Sequence, residues 1–201
     1  MENQTIAYYN QNAASFIQDT VSVDFQMTQD KFSNALPGKR VLDFGCGSGR
    51  DTKYFLENGL AVTAMDGSEE LCKYASAYTG ILVKNMMFQD LDEVNQYDGI
   101  WACSSILHLP KKELKMVFHK MVKALDTNGI IYTSFKYGTF EGERNGRFLR
   151  ISHFGNKCVI QMAEFPGFMI MGRIWLSLMR VSDLMSQKSR FSLYADYGEA
   201  E

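Results

Sequence analysis

The chain has 201 residues, 46% of them hydrophobic, with Lys+Arg 21 against Asp+Glu 23 and a formal net charge of -2 at pH 7. This length suffices for one hydrophobic core, so we expect a single domain over residues 1–201. The near balance of charges argues against nucleic acid and against an anionic membrane surface as partners, because both attract basic proteins.

Cysteine spacing and the N-terminal sequence bear on the compartment in which the protein works. The cysteines are far apart and form no C-x-x-C pair, which predicts a reducing compartment and no bound metal. Residues 1–12 lack a basic stretch followed by an apolar run, and no segment has the roughly 18 apolar residues of a membrane span. We therefore expect a cytoplasmic monomer or homodimer with no membrane partner. The four cysteines are Cys46, Cys72, Cys103 and Cys158.

The first 36 residues are predicted to form a helical segment. Apolar side chains recur at steps of three and four at Ile6, Tyr9, Ala13 and Phe16, which predicts one or two helices that cover the edge of a sheet. Pro37-Gly38 then interrupts the pattern before the first strand.

Between Arg40 and Phe135, short apolar runs alternate with longer amphipathic segments, a pattern typical of a parallel sheet flanked by helices. We predict a doubly wound α/β fold with a mostly parallel sheet of about seven strands, the last of them weakly patterned. Predicted strands are Arg40–Phe44, Ala61–Met65, Leu82–Phe88, Tyr97–Ala102 and Ile130–Phe135, with late strands in Phe168–Ser177 and Phe191–Tyr197; predicted helices are Asp51–Asn58, Ser68–Tyr78 and Lys111–Leu125.

A glycine-rich loop follows the first predicted strand. Gly45, Gly47 and Gly49 alternate with small residues before a helix, so the backbone can approach a ligand closely and the helix N-terminus offers free N–H groups. A nicotinamide oxidoreductase would use a similar G-x-G-x-x-G loop. Arg50 stands where the third glycine of that pattern is needed, and Asp43 would repel a pyrophosphate but suits a ligand with an ammonium group.

The loop resembles the first motif of the class I S-adenosylmethionine-dependent methyltransferases, in which a strand ends in acidic-x-Gly-x-Gly-x-Gly. Asp43, Gly45, Gly47 and Gly49 match it. The resemblance implies a Rossmann-like fold and S-adenosylmethionine as the cofactor, with residues 1–36 as a helical cap and 37–148 as the cofactor-binding core.

The same resemblance assigns acidic residues at two strand ends. Asp66 would accept hydrogen bonds from the ribose hydroxyls. In the alternative interpretation Asp66 caps the following helix, although Ser68 could be the N-cap equally well. Asp90 would accept from the adenine amino group, or would be a solvated turn residue. The residues assigned to the cofactor are Tyr9, Asp43, Gly45, Cys46, Gly47, Gly49, Arg50, Asp66, Gly67, Ser68, Gln89, Asp90, Leu91, Cys103 and Ser104.

The segment after the fourth strand would face the substrate, because open α/β sheets bind ligands beyond the carboxyl ends of their strands. Cys103 and Ser104 would lie beside the methionine part of the cofactor. His108 is the candidate catalytic residue, as an orienting group or a base, although a packed histidine at a helix start would have the same sequence. Cys46 is expected to matter for its small size and not as a nucleophile.

At a narrower level, Tyr8-Tyr9, residues 134–138 and residues 142–148 look like the small bacterial methyltransferases of the tellurite-resistance type. This likeness implies that Tyr9 covers the cofactor and that Arg50 pairs with the carboxylate of its methionine part. A cationic, aromatic rim for an anionic small acceptor would come from Lys136, Tyr137, Arg144 and Arg147, unless this is simply a solvated loop.

The expected reaction is methyl transfer to a small-molecule acceptor by in-line displacement, for which the protein mainly aligns the reactants and excludes water. After Phe148 the resemblance fails, so residues 149–201 match the family poorly. A noncatalytic adenosyl-ligand-binding protein is therefore the alternative function. A methyltransferase acting on RNA or protein would usually need a basic surface, which this composition does not provide.

Overall fold

The computed structural model describes residues 3–137, 140–152, 168–171 and 174–180. Short 3-10 turns at Phe88–Asp90 and Ile106–His108 complete the elements. In chain order the helices and strands are α1 Gln4–Gln11, α2 Ala13–Thr20, α3 Gln26–Ala35, β1 Arg40–Phe44, α4 Arg50–Glu57, β2 Ala61–Asp66, α5 Glu69–Thr79, β3 Lys84–Asn85, β4 Tyr97–Ala102, α6 Lys111–Ala124, β5 Leu125–Tyr137, β6 Glu141–Arg144, β7 Arg147–Ser152, β8 Phe168–Met171 and β9 Ile174–Arg180.

Five parallel strands in the order β3-β2-β1-β4-β5 form the main sheet. At the β5 edge, β9 pairs antiparallel with β5 along Ile130–Lys136, and β8 pairs antiparallel with β9. The end of β5 also pairs with β7, which forms a hairpin with β6. The predicted fold class is confirmed, although the described residues contain nine strands where the sequence suggested about seven.

Helices cover both faces of the sheet because successive strand side chains point to opposite sides. On one face, Leu42, Ile100 and Ile131 are buried with the apolar face of α6. On the other face, Val41 and Trp101 are buried with apolar residues of α3 and α4. Trp101 also stacks on Tyr132 at 3.8 Å between ring centroids. The carboxyl end of the sheet therefore rests on a packed core on each side.

Three predicted elements differ from the structure. The segment Leu82–Phe88 holds only the two-residue strand β3, since the chain leaves the sheet edge and turns at Phe88. The N-terminal segment contains three helices, not one or two. The predicted strand Phe168–Ser177 corresponds to two antiparallel strands, β8 and β9. The predicted strand Phe191–Tyr197 lies outside the described residues.

Among the described helices, none combines the length and the apolar composition that crossing a membrane requires.

A buried carboxylate joins the helices under the glycine-rich loop to the sheet. Asp51 accepts hydrogen bonds from Gln29 Nε2 at 2.6 Å and from Trp101 Nε1 at 2.8 Å, and Arg50 Nε donates to it at 2.8 Å. These contacts connect α3, α4 and β4. Nearby, the carboxylate of Asp43 accepts from the hydroxyl of Thr52 at 2.5 Å. Burial, reinforced by the charge of Asp51, raises the pKa of Asp43 to about 8.

This raised pKa makes stability depend on pH. The folded chain binds a proton at Asp43 between about pH 4, where an ordinary carboxyl ionises, and about pH 8. The unfolded chain does not, so the free energy of unfolding falls as pH rises through this window. We expect Asp43→Asn to flatten that slope, measured by urea unfolding at several pH values. The slope will not vanish, because burial also raises the pKa of Asp66.

The matched control is Asp92→Asn, which removes a carboxylate from an exposed position and is expected to leave the slope as in the wild-type chain. An unchanged slope in Asp43→Asn would contradict the assignment.

Candidate functional site

A cavity of about 350 Å³ lies beyond the carboxyl ends of β1, β2 and β4, with α1 and α2 on its outer side. This is the position at which open α/β sheets bind ligands, and the volume falls in the range of roughly 300–1,000 Å³ typical of small-ligand sites. Of the candidate site residues singled out from the sequence, those that line the cavity are Tyr9, Gly45, Cys46, Gly47, Arg50, Asp66, Gly67, Cys103, Ser104, His108 and Arg147.

The glycine-rich loop forms the floor of the cavity. Gly47 has a φ of +57°, and a Cβ atom built there would lie 3.0 Å from the ring of Phe16. Gly49 has a φ of +78° and is the N-cap of α4. Both positions favour glycine because a side chain would be strained. Burial raises the pKa of the Cys46 thiol well above its usual value, so this residue fills space and is not a thiolate nucleophile.

Asp66 lies at the end of β2 and connects the loop to α5. Its Oδ2 accepts the Gly47 N–H at 2.9 Å, and its Oδ1 accepts the Ser68 N–H at 2.8 Å. Burial raises the pKa of Asp66, while these backbone N–H groups oppose the rise. A carboxylate has about four acceptor positions, so both oxygens can still accept hydrogen bonds from a ligand in the cavity.

Ser68 does not line the cavity. Its side chain caps α5 by accepting the Leu71 N–H at 3.3 Å, and its hydroxyl donates to Asn10 Oδ1 at 2.7 Å. The helix-cap reading of Ser68 therefore fits the structure, and its assignment to the cofactor does not.

The wall beside Asp66 is apolar and consists of Met86, Met87 and Phe88, with Ile6 and Leu71. Met86 and Met87 directly follow the edge strand β3. Their position at a strand end is the signal by which they could have been found.

The residues that the sequence placed against adenine lie elsewhere. Gln89 donates to Glu113 Oε2 at 2.7 Å, Asp90 is exposed, and Leu91 is buried in the core. Leu91 is in the core because the chain turns back under α6 after Phe88, so none of the three lines the cavity, contrary to their assignment to the cofactor.

Arg50, a cation, also lines the cavity. Arg50 donates to Asp51 through Nε at 2.8 Å and Nη2 at 2.9 Å, and its guanidinium lies 5.1 Å from the ring centroid of Phe25. This pair leaves Nη1 without a partner among the described residues.

Asp43 and Gly49 do not reach the cavity. Asp43 lies beneath the loop and accepts a hydrogen bond from Thr52, so it does not face a ligand's ammonium group.

Cys103 and Ser104 form the inner wall after β4. The Ser104 N–H donates to Ser134 Oγ at 2.8 Å, and the Cys103 thiol lies 4.0 Å from Arg50 Nη2. Burial raises the pKa of Cys103 to about 12, so the thiol stays protonated. In the described part of the chain, no group of histidine, cysteine and acidic residues is arranged to hold a metal ion.

The remaining wall brings together an N-terminal helix, the turn after β4 and strand β7. The hydroxyl of Tyr9 lies 2.8 Å from His108 Nε2, and Arg147 Nη1 donates to the same hydroxyl at 3.2 Å. His108 Nδ1 lies 2.7 Å from the carbonyl oxygen of Phe148. The guanidinium of Arg147 also lies 4.6 Å from the ring centroid of Tyr8. Thus His108 and Tyr9 share one hydrogen-bonded network on the cavity surface.

Of the predicted substrate rim, the structure places only one described side chain at the cavity. Arg147 lines the cavity, whereas Arg144 is exposed at the end of β6 and does not. The side chains of Lys136 and Tyr137 lie outside the described part of the structure.

Comparison with known proteins relates part of the chain to a known family. Residues 41–129 match the family model described as a methyltransferase domain. The Bacillus subtilis protein YqeM, which is named as a methyltransferase, is 32% identical to this chain over 117 residues. The match covers 51% of this chain and 46% of that protein. The chain spans about half the length of the curated relatives that it matches.

Solved structures share the fold. The 1,6-didemethyltoxoflavin-N1-methyltransferase of Burkholderia thailandensis, solved with 1,6-didemethyltoxoflavin and S-adenosylhomocysteine, has a TM-score of 0.66 at 18% identity over 87% of this chain and 84% of that one. The magnesium protoporphyrin IX methyltransferase of Synechocystis, solved with S-adenosylmethionine, has a TM-score of 0.61 at 16% identity over 90% and 96%. The tellurite-resistance group is not confirmed. Residues 41–129 therefore match a methyltransferase domain, and the chain shares its fold with solved methyltransferases.

Proposed function

We propose that the chain binds S-adenosylmethionine in the cavity and transfers its methyl group to a small-molecule acceptor. The observation that carries this proposal is the carboxylate of Asp66, held at the cavity surface by backbone N–H groups of Gly47 and Ser68. When bound, the cofactor supplies an electrophilic methyl group on a sulfonium, which needs alignment and a dry site more than acid or base groups.

The cavity offers a complementary contact for each part of this cofactor. Asp66 accepts from the ribose hydroxyls, and the apolar side chains of Met86, Met87 and Phe88 cover the adenine. Arg50 has a guanidinium nitrogen available for the carboxylate of the methionine part. Roles of this kind fit a carboxylate, an apolar wall and a cation that already share one cavity.

The acceptor would occupy the part of the cavity beside Tyr9 and His108. Leu107, Leu109 and Leu149 also line the cavity and are nearly fully buried, so this end excludes water. The cavity of about 350 Å³ is in the size range of small-ligand sites, so a small molecule is the proposed acceptor. The small-molecule acceptor bound to the Burkholderia enzyme supports the same size class.

The first test is calorimetric binding of S-adenosylhomocysteine to the wild-type chain and to Asp66→Asn. Loss of one charged hydrogen-bond acceptor costs about 1.5–3 kcal/mol, so we expect roughly 10- to 100-fold weaker binding in the variant. NADH should not bind, because the loop lacks the third glycine of a dinucleotide site.

Asp92→Asn is the matched control and is expected to bind like the wild-type chain. Tight NADH binding, or equal affinity of Asp66→Asn for S-adenosylhomocysteine, would contradict the proposed cofactor site. Binding without methyl transfer to any acceptor would instead favour the noncatalytic function.

A second test isolates the role of Arg50. We compare S-adenosylhomocysteine with 5′-methylthioadenosine, which has the adenosine and sulfur but lacks the amino acid carboxylate. Arg50→Met is expected to weaken binding of the first ligand about tenfold or more, since a charged hydrogen bond is lost, and to change binding of the second little.

Equal losses for both ligands would show that the substitution acts through the packing of Asp51 and Phe25 and not through the carboxylate. Lys53→Met removes a cation from the same helix, away from the cavity lining, and serves as the control.

A further inference from the structure

The hydrogen-bond network of Tyr9, His108 and Arg147 has a defined direction. The carbonyl oxygen of Phe148 can only accept a hydrogen bond, so Nδ1 of His108 carries the hydrogen in that 2.7 Å contact. The guanidinium of Arg147 can only donate, so the Tyr9 oxygen accepts from it and is free to donate its own hydrogen. In a neutral imidazole, Nε2 is then the acceptor for the Tyr9 hydroxyl at 2.8 Å.

The surroundings of Tyr9 suit a group that passes a proton on and does not keep a charge. Burial raises the pKa of the Tyr9 phenol, with a smaller rise from Asp66 on β2 and Tyr8 on α1, while Arg147 on β7 opposes the rise. The phenol therefore stays protonated at neutral pH. A proton can cross it only if the phenol gives up its own proton to His108 as it takes another.

Both side chains also face the space left for the acceptor. Tyr9 and His108 line the cavity together with Cys103 and Ser104, which follow β4. The thiol of Cys103 is protonated, so it cannot serve as a base at neutral pH. Among the described residues of this wall, the group able to accept a proton is Nε2 of His108 in its neutral form.

We infer that Tyr9 and His108 form a proton relay, and that the acceptor is therefore protic, bearing a hydroxyl or an N–H group that must lose its proton on methylation. This inference rests on the proposed methyl transfer. The acceptor's proton passes to Tyr9 Oη while the Tyr9 proton passes to His108 Nε2. The acceptor's lone pair forms the bond to the methyl carbon, and the electron pair of the broken carbon–sulfur bond stays on sulfur.

A merely structural role is the competing explanation, since the same contacts fasten α1 to the body of the protein. The two roles differ in one observable. A relay takes a proton from a bound acidic hydroxyl, whereas a fastening contact leaves the charge of the bound molecule unchanged.

The test uses 4-nitrophenol as the probe, because its ionised form absorbs visible light. The probe is titrated into the full chain saturated with S-adenosylhomocysteine, at a pH where the free probe is mostly neutral. We expect the phenolate band to appear on binding to the wild-type chain. His108→Gln, which cannot take up the proton, and Tyr9→Phe, which lacks the bridging hydroxyl, should each lower this band at least tenfold.

His119→Gln and Tyr78→Phe are the matched controls, because both residues are exposed and lie outside the cavity. Calorimetry with S-adenosylhomocysteine and thermal melting accompany every variant. If His108→Gln does not fold, Tyr9→Phe still tests the relay, since it removes a single oxygen.

Absence of the band in the wild-type chain, or an undiminished band in either Tyr9→Phe or His108→Gln, overturns the relay. Failure of the wild-type chain to bind S-adenosylhomocysteine would overturn the proposed function itself, and the calorimetry separates the two results.

Discussion

The carboxylate of Asp66 is the constraint on which the site depends. It accepts hydrogen bonds from backbone N–H groups in the turn after β1 and in the turn after β2. It therefore fixes these two neighbouring βα turns relative to each other. The N–H of Gly47 can reach it because the loop adopts left-handed conformations at alternate residues. The same carboxylate faces the cavity. Positioning of the loop and recognition of the ligand are therefore tasks of one side chain.

A second carboxylate supports this arrangement from below. Asp51 accepts hydrogen bonds from Gln29, Arg50 and Trp101. These bonds link the cap helix α3 to α4, the first helix of the core, and to the central strand β4. Its bond to Arg50 also fixes the guanidinium that lines the cavity. Leaving such a buried charge unpaired is costly, which explains why its donors come from three separate elements.

The sequence predicted the parallel core and the loop well, because both follow from local patterns. Apolar runs predict β1, β2 and β4 closely, and Gly45, Gly47 and Gly49 require a backbone that few other residues adopt. Asp66 could be placed since it ends a strand next to that loop.

Contacts between distant segments were not predictable in this way. The meeting of Tyr9, His108 and Arg147 spans 138 residues and depends on how β7 docks beside the turn after β4. Residues 89–91 were misplaced because the edge strand β3 is only two residues long, which no apolar pattern indicates.

The N-terminal helix α1 has a consequence for exchange of ligand with solvent. Of its eight residues only Thr5 is fully buried, and hydrogen bonds such as Thr5 to Phe148 and Asn10 to Ser68 help to fasten α1. Isolated helices of this length are marginal in water. Local unfolding of α1 is then thermodynamically linked to occupancy, so a ligand that contacts Ile6 and Tyr9 protects the amides of α1 from hydrogen exchange.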